Sequence, residues 1–368
     1  MKLPIEVVKD PEVPLYLNTA AVGMMSLSSL KAQLHHLTLF ARKAERHFAE
    51  LEPIQQEARE ALARILGVPP TDVGFVGSTS HGMDLFAQLP HPPERRRIVC
   101  PAGEFPSSVL PWRARGFEIT LVPPEDGEYR EQAFREVMDS DVFAVVTSAC
   151  LYADGTRIDL GTTSAVAHHF GALSIANVTQ AAGLMPLALA ADGVDLAAGN
   201  GHKWLSSGTG NGFIYLPELF RDQLPAMGWL SVTDPFAMRL DHYQRKVTAA
   251  VVEYGGMSIL PRVALRESLR ILEEVGIGQV FKYSKGLADL LRQGARDRGI
   301  PVRGPQNPRY QAATVNLQVS EPAARVAALV ERGIAVSARG GLRVSPHLHN
   351  TAEDIEIFWK HFDALWPG

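Results

Sequence analysis

The sequence holds only two cysteines in 368 residues, Cys100 and Cys150. Two thiols exclude a disulfide framework and favour a reducing compartment. No apolar run reaches the roughly 20 residues of a membrane-spanning helix. The opening Met1-Lys2-Leu3-Pro4 leads into polar residues rather than the apolar stretch of a secretory signal. Charge of one sign is lacking as well. Lys and Arg number 36 against 40 Asp and Glu, a formal net charge of −4, so neither nucleic acid nor an acidic membrane surface is indicated as a partner. The 12 histidines are scattered without a cysteine-backed zinc spacing, and no metal site is expected. Together these absences describe a soluble, cytoplasmic protein.

What is present is alternation. At 46% hydrophobic and 21% charged residues, the chain can bury one large core and a smaller one. Ile54, Ala58, Ala61, Leu62 and Ile65 share a helical face, with Pro53 suited to the first turn and Gly67 to the stop. Short strand-like runs follow at 73–76, 98–100, 118–122, 142–147, 173–176, 196–198 and 213–216, several separated by helix-like stretches such as 131–138 and 161–170. Strands apolar on both faces and alternating with helices indicate an α/β layer fold with a mostly parallel sheet. After about Pro261 the order changes to helices at 263–276 and 280–298. Strands at 314–319, 335–337 and 342–344 follow, with helices at 322–333 and 351–365. The expectation is a large domain, 16–260, and a smaller α+β domain, 261–368, joined by residues 1–15.

In an open α/β sheet, ligands bind beyond the carboxyl ends of the strands. The run Gly77-Ser78-Thr79-Ser80-His81-Gly82 offers free N–H groups and hydroxyls at a helix start, which suit a phosphate. By itself it fits a plain helix cap equally well. No Gly-Lys-Ser/Thr follows to complete a nucleotide P-loop, and Gly-x-Gly-x-x-Gly is missing at this turn. Further along, Asn177-Val178-Thr179-Gln180 follows one strand and Gly199-Asn200-Gly201-His202-Lys203-Trp204 ends another. A lysine in such a Gly-rich, aromatic turn is suited to imine formation when desolvated.

These motifs, in this order, resemble the class V aminotransferase family. Its members are fold type I enzymes dependent on pyridoxal 5′-phosphate (PLP), and include cysteine desulfurases, kynureninases and isopenicillin N epimerase-like proteins. The resemblance runs from Tyr16-Leu17-Asn18-Thr19-Ala20 to Arg343-Val344-Ser345-Pro346 and Asn350-Thr351. It is most specific in Gln180-Ala181-Ala182-Gly183, Gly193-Val194-Asp195 and His202-Lys203-Trp204-Leu205. It implies PLP held by Lys203 as a Schiff base, with Thr79, Ser80 and His202 on the phosphate and Gln180 on the phenolic oxygen. Phe105, in Glu104-Phe105-Pro106-Ser107, is the ring expected over the pyridine, or else a core residue. Met227-Gly228-Trp229 resembles a kynureninase segment in which Trp229 reaches the phosphate; a Trp buried in a loop is the alternative. Arg343 matches the clamp for a substrate carboxylate, with Asn18 and Tyr152 beside the substrate and Arg339 as a second contact or a plain exposed arginine. A small amino-acid substrate and a homodimer are implied too. The reaction class stays open among amino transfer, elimination at a C–S bond or elsewhere on Cβ, kynureninase-like hydrolysis and epimerisation, with a non-catalytic PLP-binding protein as a further alternative.

Three departures from the family pattern bear on function. Asn177 stands where the family has Asp, so the pyridine nitrogen receives no negative partner and the ring is a poorer electron sink. The loop Ser337-Ala338-Arg339-Gly340-Gly341-Leu342 carries no cysteine, which argues against a persulfide-forming desulfurase. Tyr254-Gly255-Gly256-Met257-Ser258 replaces a Gly-Thr pair, leaving the Gly256 backbone, or Ser258, to reach a neighbouring subunit's phosphate. Restoring the carboxylate with Asn177→Asp should change both turnover and the long-wavelength absorbance of the substrate-loaded enzyme. If neither changes, the charge at this position is irrelevant to the chemistry.

Overall fold

Short apolar runs too brief for helices become strands, and the amphipathic stretches between them pack on the two faces of the sheet they form. The computed structural model describes residues 3, 5–225, 227–255 and 259–366. Its first half contains β1 (Leu15–Tyr16), α1 (Leu27–Lys43), α2 (Phe48–Leu66), β2 (Val73–Val76), α3 (Thr79–Phe86), β3 (Arg97–Pro101), α4 (Leu110–Ala114), β4 (Glu118–Val122), α5 (Glu131–Arg135), β5 (Val142–Ser148), α6 (Leu160–His169) and β6 (Leu173–Asn177). The rest adds β7 (Leu196–Asn200), β8 (Gly212–Tyr215), α7 (Glu218–Arg221), α8 (Leu260–Val275), α9 (Ile277–Asp297), β9 (Val315–Leu317), α10 (Pro322–Val330), β10 (Ile334–Ala335), β11 (Ser337–Ala338), β12 (Leu342–Val344) and α11 (Ala352–Leu365).

The main sheet has seven strands in the order β2-β8-β7-β6-β5-β3-β4. Only β8 runs against its neighbours; every other pairing is parallel. In register, Ser148 at the end of β5 pairs with Asn177 at the end of β6, which in turn pairs with Ala198 of β7. The chemistry-bearing turns therefore leave the sheet side by side at one edge. This is the mostly parallel α/β sheet that the sequence pattern predicts. An antiparallel sheet of β11-β12-β9 forms beside it, and β1 pairs with β10 in parallel. The run expected as one strand at 335–337 is divided: within a few residues the chain leaves β1 and turns to pair with β12. Because Leu15–Tyr16 pairs with Ile334–Ala335, the start of the chain is tied to the C-terminal elements slightly beyond residue 15.

Local details follow from side-chain chemistry. The helix predicted to start at Pro53 begins earlier, at Phe48, with Pro53 inside it. The missing proline N–H frees the carbonyl of Ala49, and since Ala49 is exposed to solvent the break is tolerated near the helix start. The helix ends where expected, on Gly67 at φ 69, whose N–H returns to Ala63. Leu62 and Leu66 of α2 and Leu265 and Leu269 of α8 are fully buried in one core, each contributing about 1.5–3 kcal/mol through apolar burial. That core continues to Leu291, Val315 and Phe358, coupling the small sheet and its helices to the large one. A second core, with Met83, Phe86 and Trp112, lies under α3 and α4. No helix among the described residues is long and apolar enough to cross a membrane.

Gly212 opens β8 directly beneath the turn that starts α3. A Cβ there would collide with the Ser78 backbone and the Val76 carbonyl. Gly212→Ala should lower stability by about 1–3 kcal/mol, the usual cost of overpacking, and weaken cofactor retention by displacing Ser78. Urea unfolding and cofactor titration measure the two effects.

Candidate active site

The turn after β2 builds one end of a cavity of about 310 Å³ at the carboxyl edge of the main sheet. Ser78 caps α3, its hydroxyl accepting from the His81 N–H at 3.2 Å. The Thr79 hydroxyl lies 2.7 Å from that of Thr179, so one of the pair keeps a proton free to donate elsewhere. Ser80, Asn200 and His202 complete this polar end. A helix start with converging hydroxyls and N–H groups favours an anion. Burial, and next the Lys203 charge, push the His202 imidazole down to about 4, so it meets an anion as a neutral hydrogen-bonding group.

Lys203 enters the same cavity from the turn after β7. Its amine lies 5.3 Å from the centroid of the Phe105 ring, which meets Tyr152 edge-on at 5.1 Å. Burial above all, then the Arg343 and Arg339 charges, lower the lysine to about 8. About a tenth of the amine is then neutral at pH 7, far more than for an ordinary lysine, which makes it a usable nucleophile. Phe105 is 40% exposed and lines the cavity, which excludes the core alternative.

Two amides on the floor are held rigidly. Gln180 donates to the Ala20 carbonyl at 3.0 Å and accepts from the Trp204 indole at 2.6 Å. Asn177, almost wholly buried, accepts from the Thr179 N–H at 3.0 Å and donates to the Ser108 hydroxyl at 3.0 Å. Behind Ser108 sits Glu104, whose carboxyl is raised by burial against the opposing effect of hydrogen bonds from Ser148, Ser108 and Phe105.

The opposite wall is cationic. Arg343 projects from the middle strand of the small sheet and is buried. It donates to Ser337 at 3.0 Å, to the Tyr152 carbonyl at 2.8 Å and, at 3.4 Å, to Asn18. Burial, followed by the Arg339 charge, lowers it to about 10, still cationic at neutral pH. Arg339 lines the cavity from the β11–β12 turn. Among the described residues the lining includes no Asp or Glu, so both guanidiniums are left to face an anionic ligand.

Lys203, Thr79, Ser80, Phe105, Asn177, Gln180, His202, Tyr152 and Arg343 thus converge on one cavity, with Asn18 behind Arg343. Trp229 does not line it. Half exposed, it donates to the Pro235 carbonyl at 2.9 Å and borders a separate surface groove. Its neighbours are Tyr254 and Gly255, and Tyr254 in turn lies beside His81 of α3. Gly256 and Ser258 fall outside the described residues. Thr179, Asn200, Ser107, Ser148 and Cys150 line the cavity without having been singled out. Thr179, Asn200 and Ser148 stand at strand ends, where the crevice rule points; Ser107 has no comparable signal. Burial pushes the thiols of Cys100 and Cys150 up to about 12, which leaves them un-ionised and poor nucleophiles.

An anion cup, a flat ring, a buried amine and a volume at the low end of small-ligand pockets suit a phosphorylated aromatic aldehyde. This constellation on a mostly parallel sheet defines a fold type I PLP enzyme. The chain belongs to the class-V aminotransferase family, which it matches over residues 15–358, and its cofactor is pyridoxal 5′-phosphate. A probable cysteine desulfurase of Methanothermobacter thermautotrophicus is 25% identical, over 84% of this chain and 83% of its own. A probable hercynylcysteine sulfoxide lyase of Mycobacterium tuberculosis is 27% identical, over 95% of this chain and 90% of its own. Among solved structures, the apo cysteine desulfurase of Thermococcus onnurineus superposes with a TM-score of 0.86 at 21% identity, covering 98% of this chain and 99% of that one. At that identity the likeness speaks for the fold.

Cofactor uptake by the apoprotein should speed up as pH rises through about 8, where Lys203 loses its proton. Arg343→Leu removes a neighbouring positive charge, so the midpoint should move upward, toward the ordinary lysine range. Stopped-flow absorbance across pH measures both.

Proposed function

We propose that the chain is a PLP-dependent lyase that removes a leaving group from Cβ of an amino acid, with Lys203 moving the proton. The observation that carries the reading is the Lys203 amine facing the Arg343 guanidinium across a cavity with a phosphate cup at its end. Thr79, Ser80 and His202 would hold the phosphate, Phe105 would cover the ring and Gln180 would meet the phenolic oxygen. When bound, PLP supplies an aldehyde carbon for amine exchange and a ring that withdraws electrons from Cα.

Arg343 orients the substrate through its carboxylate, a task suited to a planar donor fork. Once displaced from the cofactor, the Lys203 amine takes the Cα proton as general base. Asn177 favours elimination over amino transfer. With a leaving group on Cβ, the electron pair departs with that group and need not be stored in a weakly withdrawing ring. Sulfur transfer through a persulfide is disfavoured by the cysteine-free loop 337–342 and by the buried, un-ionised thiols. The sulfoxide lyase among the relatives is consistent with chemistry at a C–S bond.

In this reading, 16–260 carries the cofactor, and 261–368 with 1–15 supplies Arg343. Exposed Leu34 and Leu37, one turn apart on α1, and Phe48 at the start of α2 support burial against a second copy in a homodimer. Two unpaired thiols agree with a cytoplasmic setting.

Borohydride reduction followed by peptide mapping should find the cofactor on Lys203. Lys203→Ala should lower turnover about 10²–10⁴-fold, the usual contribution of a positioned acid–base group. A panel of S-substituted cysteines should release ammonia and a keto acid, with no sulfur added to peptides bearing Cys100 or Cys150. Formation of pyridoxamine phosphate with a matching keto acid would instead make the enzyme an aminotransferase.

A further inference from the structure

Glu104 is a carboxylate close to the cofactor cavity that the reaction above does not use. Its oxygens accept from the Ser148 N–H, from the Ser148 hydroxyl at 2.8 Å and from the Phe105 N–H at 3.2 Å, and the Ser108 hydroxyl also bonds to it. We propose that Glu104 is a positioning residue: through Ser108 it holds the Asn177 amide with an N–H, not an oxygen, toward the cofactor's ring nitrogen, which is thereby kept unprotonated. This rests on the PLP reading and deepens it.

The direction of each hydrogen bond carries the inference. The Ser108 hydroxyl bonds to Glu104 as a donor, opposing the upward push of burial on the carboxyl, so its single proton points at Glu104. Toward Asn177 the Ser108 oxygen then offers lone pairs alone, and it accepts from Asn177 Nδ2 at 3.0 Å. At the other end a peptide N–H only donates, and Thr179 N–H reaches Asn177 Oδ1 at 3.0 Å. Turning the amide over would set N–H against N–H at Thr179 and lone pair against lone pair at Ser108. With Asn177 4% exposed, no bulk water relieves either conflict, and each unmatched buried group costs about 1–3 kcal/mol. The amide is locked at both ends. Its second Nδ2 hydrogen remains for the cavity that Asn177 lines. A ring nitrogen facing a donor has to be the acceptor, and an acceptor nitrogen carries no proton.

Glu104 thereby sits near the ring without donating to its nitrogen. Asn177 and Ser108 stand between them: the Ser108 proton and one Asn177 hydrogen point toward the carboxyl, and the second Asn177 hydrogen is left for the ring nitrogen. The same carboxylate fastens the turn that bears Phe105 to the end of β5 at Ser148, so the ring cover and the amide lock share one anchor.

The test is nitrogen NMR of the holoenzyme loaded with PLP labelled at the ring nitrogen. The wild-type resonance should fall at the position of neutral pyridine, and Asn177→Asp should move it to that of a pyridinium. Glu104→Gln puts a donor behind Ser108, which frees the Ser108 proton to turn toward Asn177 and should shift the resonance part of the way. Glu104→Asp should restore the wild-type position. If Glu104→Gln loses the cofactor, Ser108→Ala reads the same link without altering the carboxylate, and should also shift the signal. A pyridinium resonance in the wild type overturns the proposal, as does a wild-type resonance in both Glu104→Gln and Ser108→Ala. Borohydride trapping on the same samples separates the two levels. Trapping at Lys203 with a pyridinium signal refutes only the lock, whereas no trapping refutes the PLP reading beneath it.

Discussion

The site depends on making one lysine amine easy to deprotonate inside a folded protein. Withdrawal of Lys203 from water disfavours its ammonium form, and the two guanidiniums on the facing wall push in the same direction. An isolated buried amine near cations is an electrostatic cost that folding alone does not reward. The rest of the architecture makes it tolerable. Hydroxyls and a helix start lie at one end for an anion, and Arg339 and Arg343 await another at the far wall. The cavity is built for ligands that bring negative charge with them.

Polarity runs in a definite order across the floor. Hydroxyls and helix-start N–H groups gather beyond β2 and β7, neutral amides line the cavity at Asn177 and Gln180, and the one carboxyl of the network, Glu104, is set back behind Ser108. A relative with Asp at position 177 would place charge directly on the ring nitrogen. Here an amide stands in its place, with hydrogen bonds satisfied at both ends by Thr179 and Ser108. The substitution therefore belongs to a consistent local network and not to a damaged one.

Relatives that share this fold carry names of different reactions, among them desulfurase and sulfoxide lyase. Fold by itself does not choose between them. The distinguishing features of this chain are few: the short turn from β11 to β12 with an arginine and no cysteine, thiols buried to the point of inertness, and the amide on the floor. In the elimination proposed above, each bears on the fate of the electrons after Cα loses its proton.

Much was legible in the linear chain because it depends on local pattern. Apolar runs of strand length marked the main sheet closely, with β2, β4 and β12 at their exact bounds. Gly67 stopped its helix because a left-handed cap needs no Cβ. The order of Gln180, His202, Lys203 and Arg343 carried the family resemblance, and the four residues line one cavity. Pro53 misled, because proline near a helix start is tolerated one turn deeper when the freed carbonyl reaches water. Trp229 could not be placed, as loops obey no period. Hydrogen-bond direction was the property hidden altogether. Residue type alone says that Asn177 can donate or accept. Only the folded chain, by bringing Glu104 and Ser108 from beyond β3 against Asn177 at the end of β6, opposite the Thr179 N–H, decides which it does.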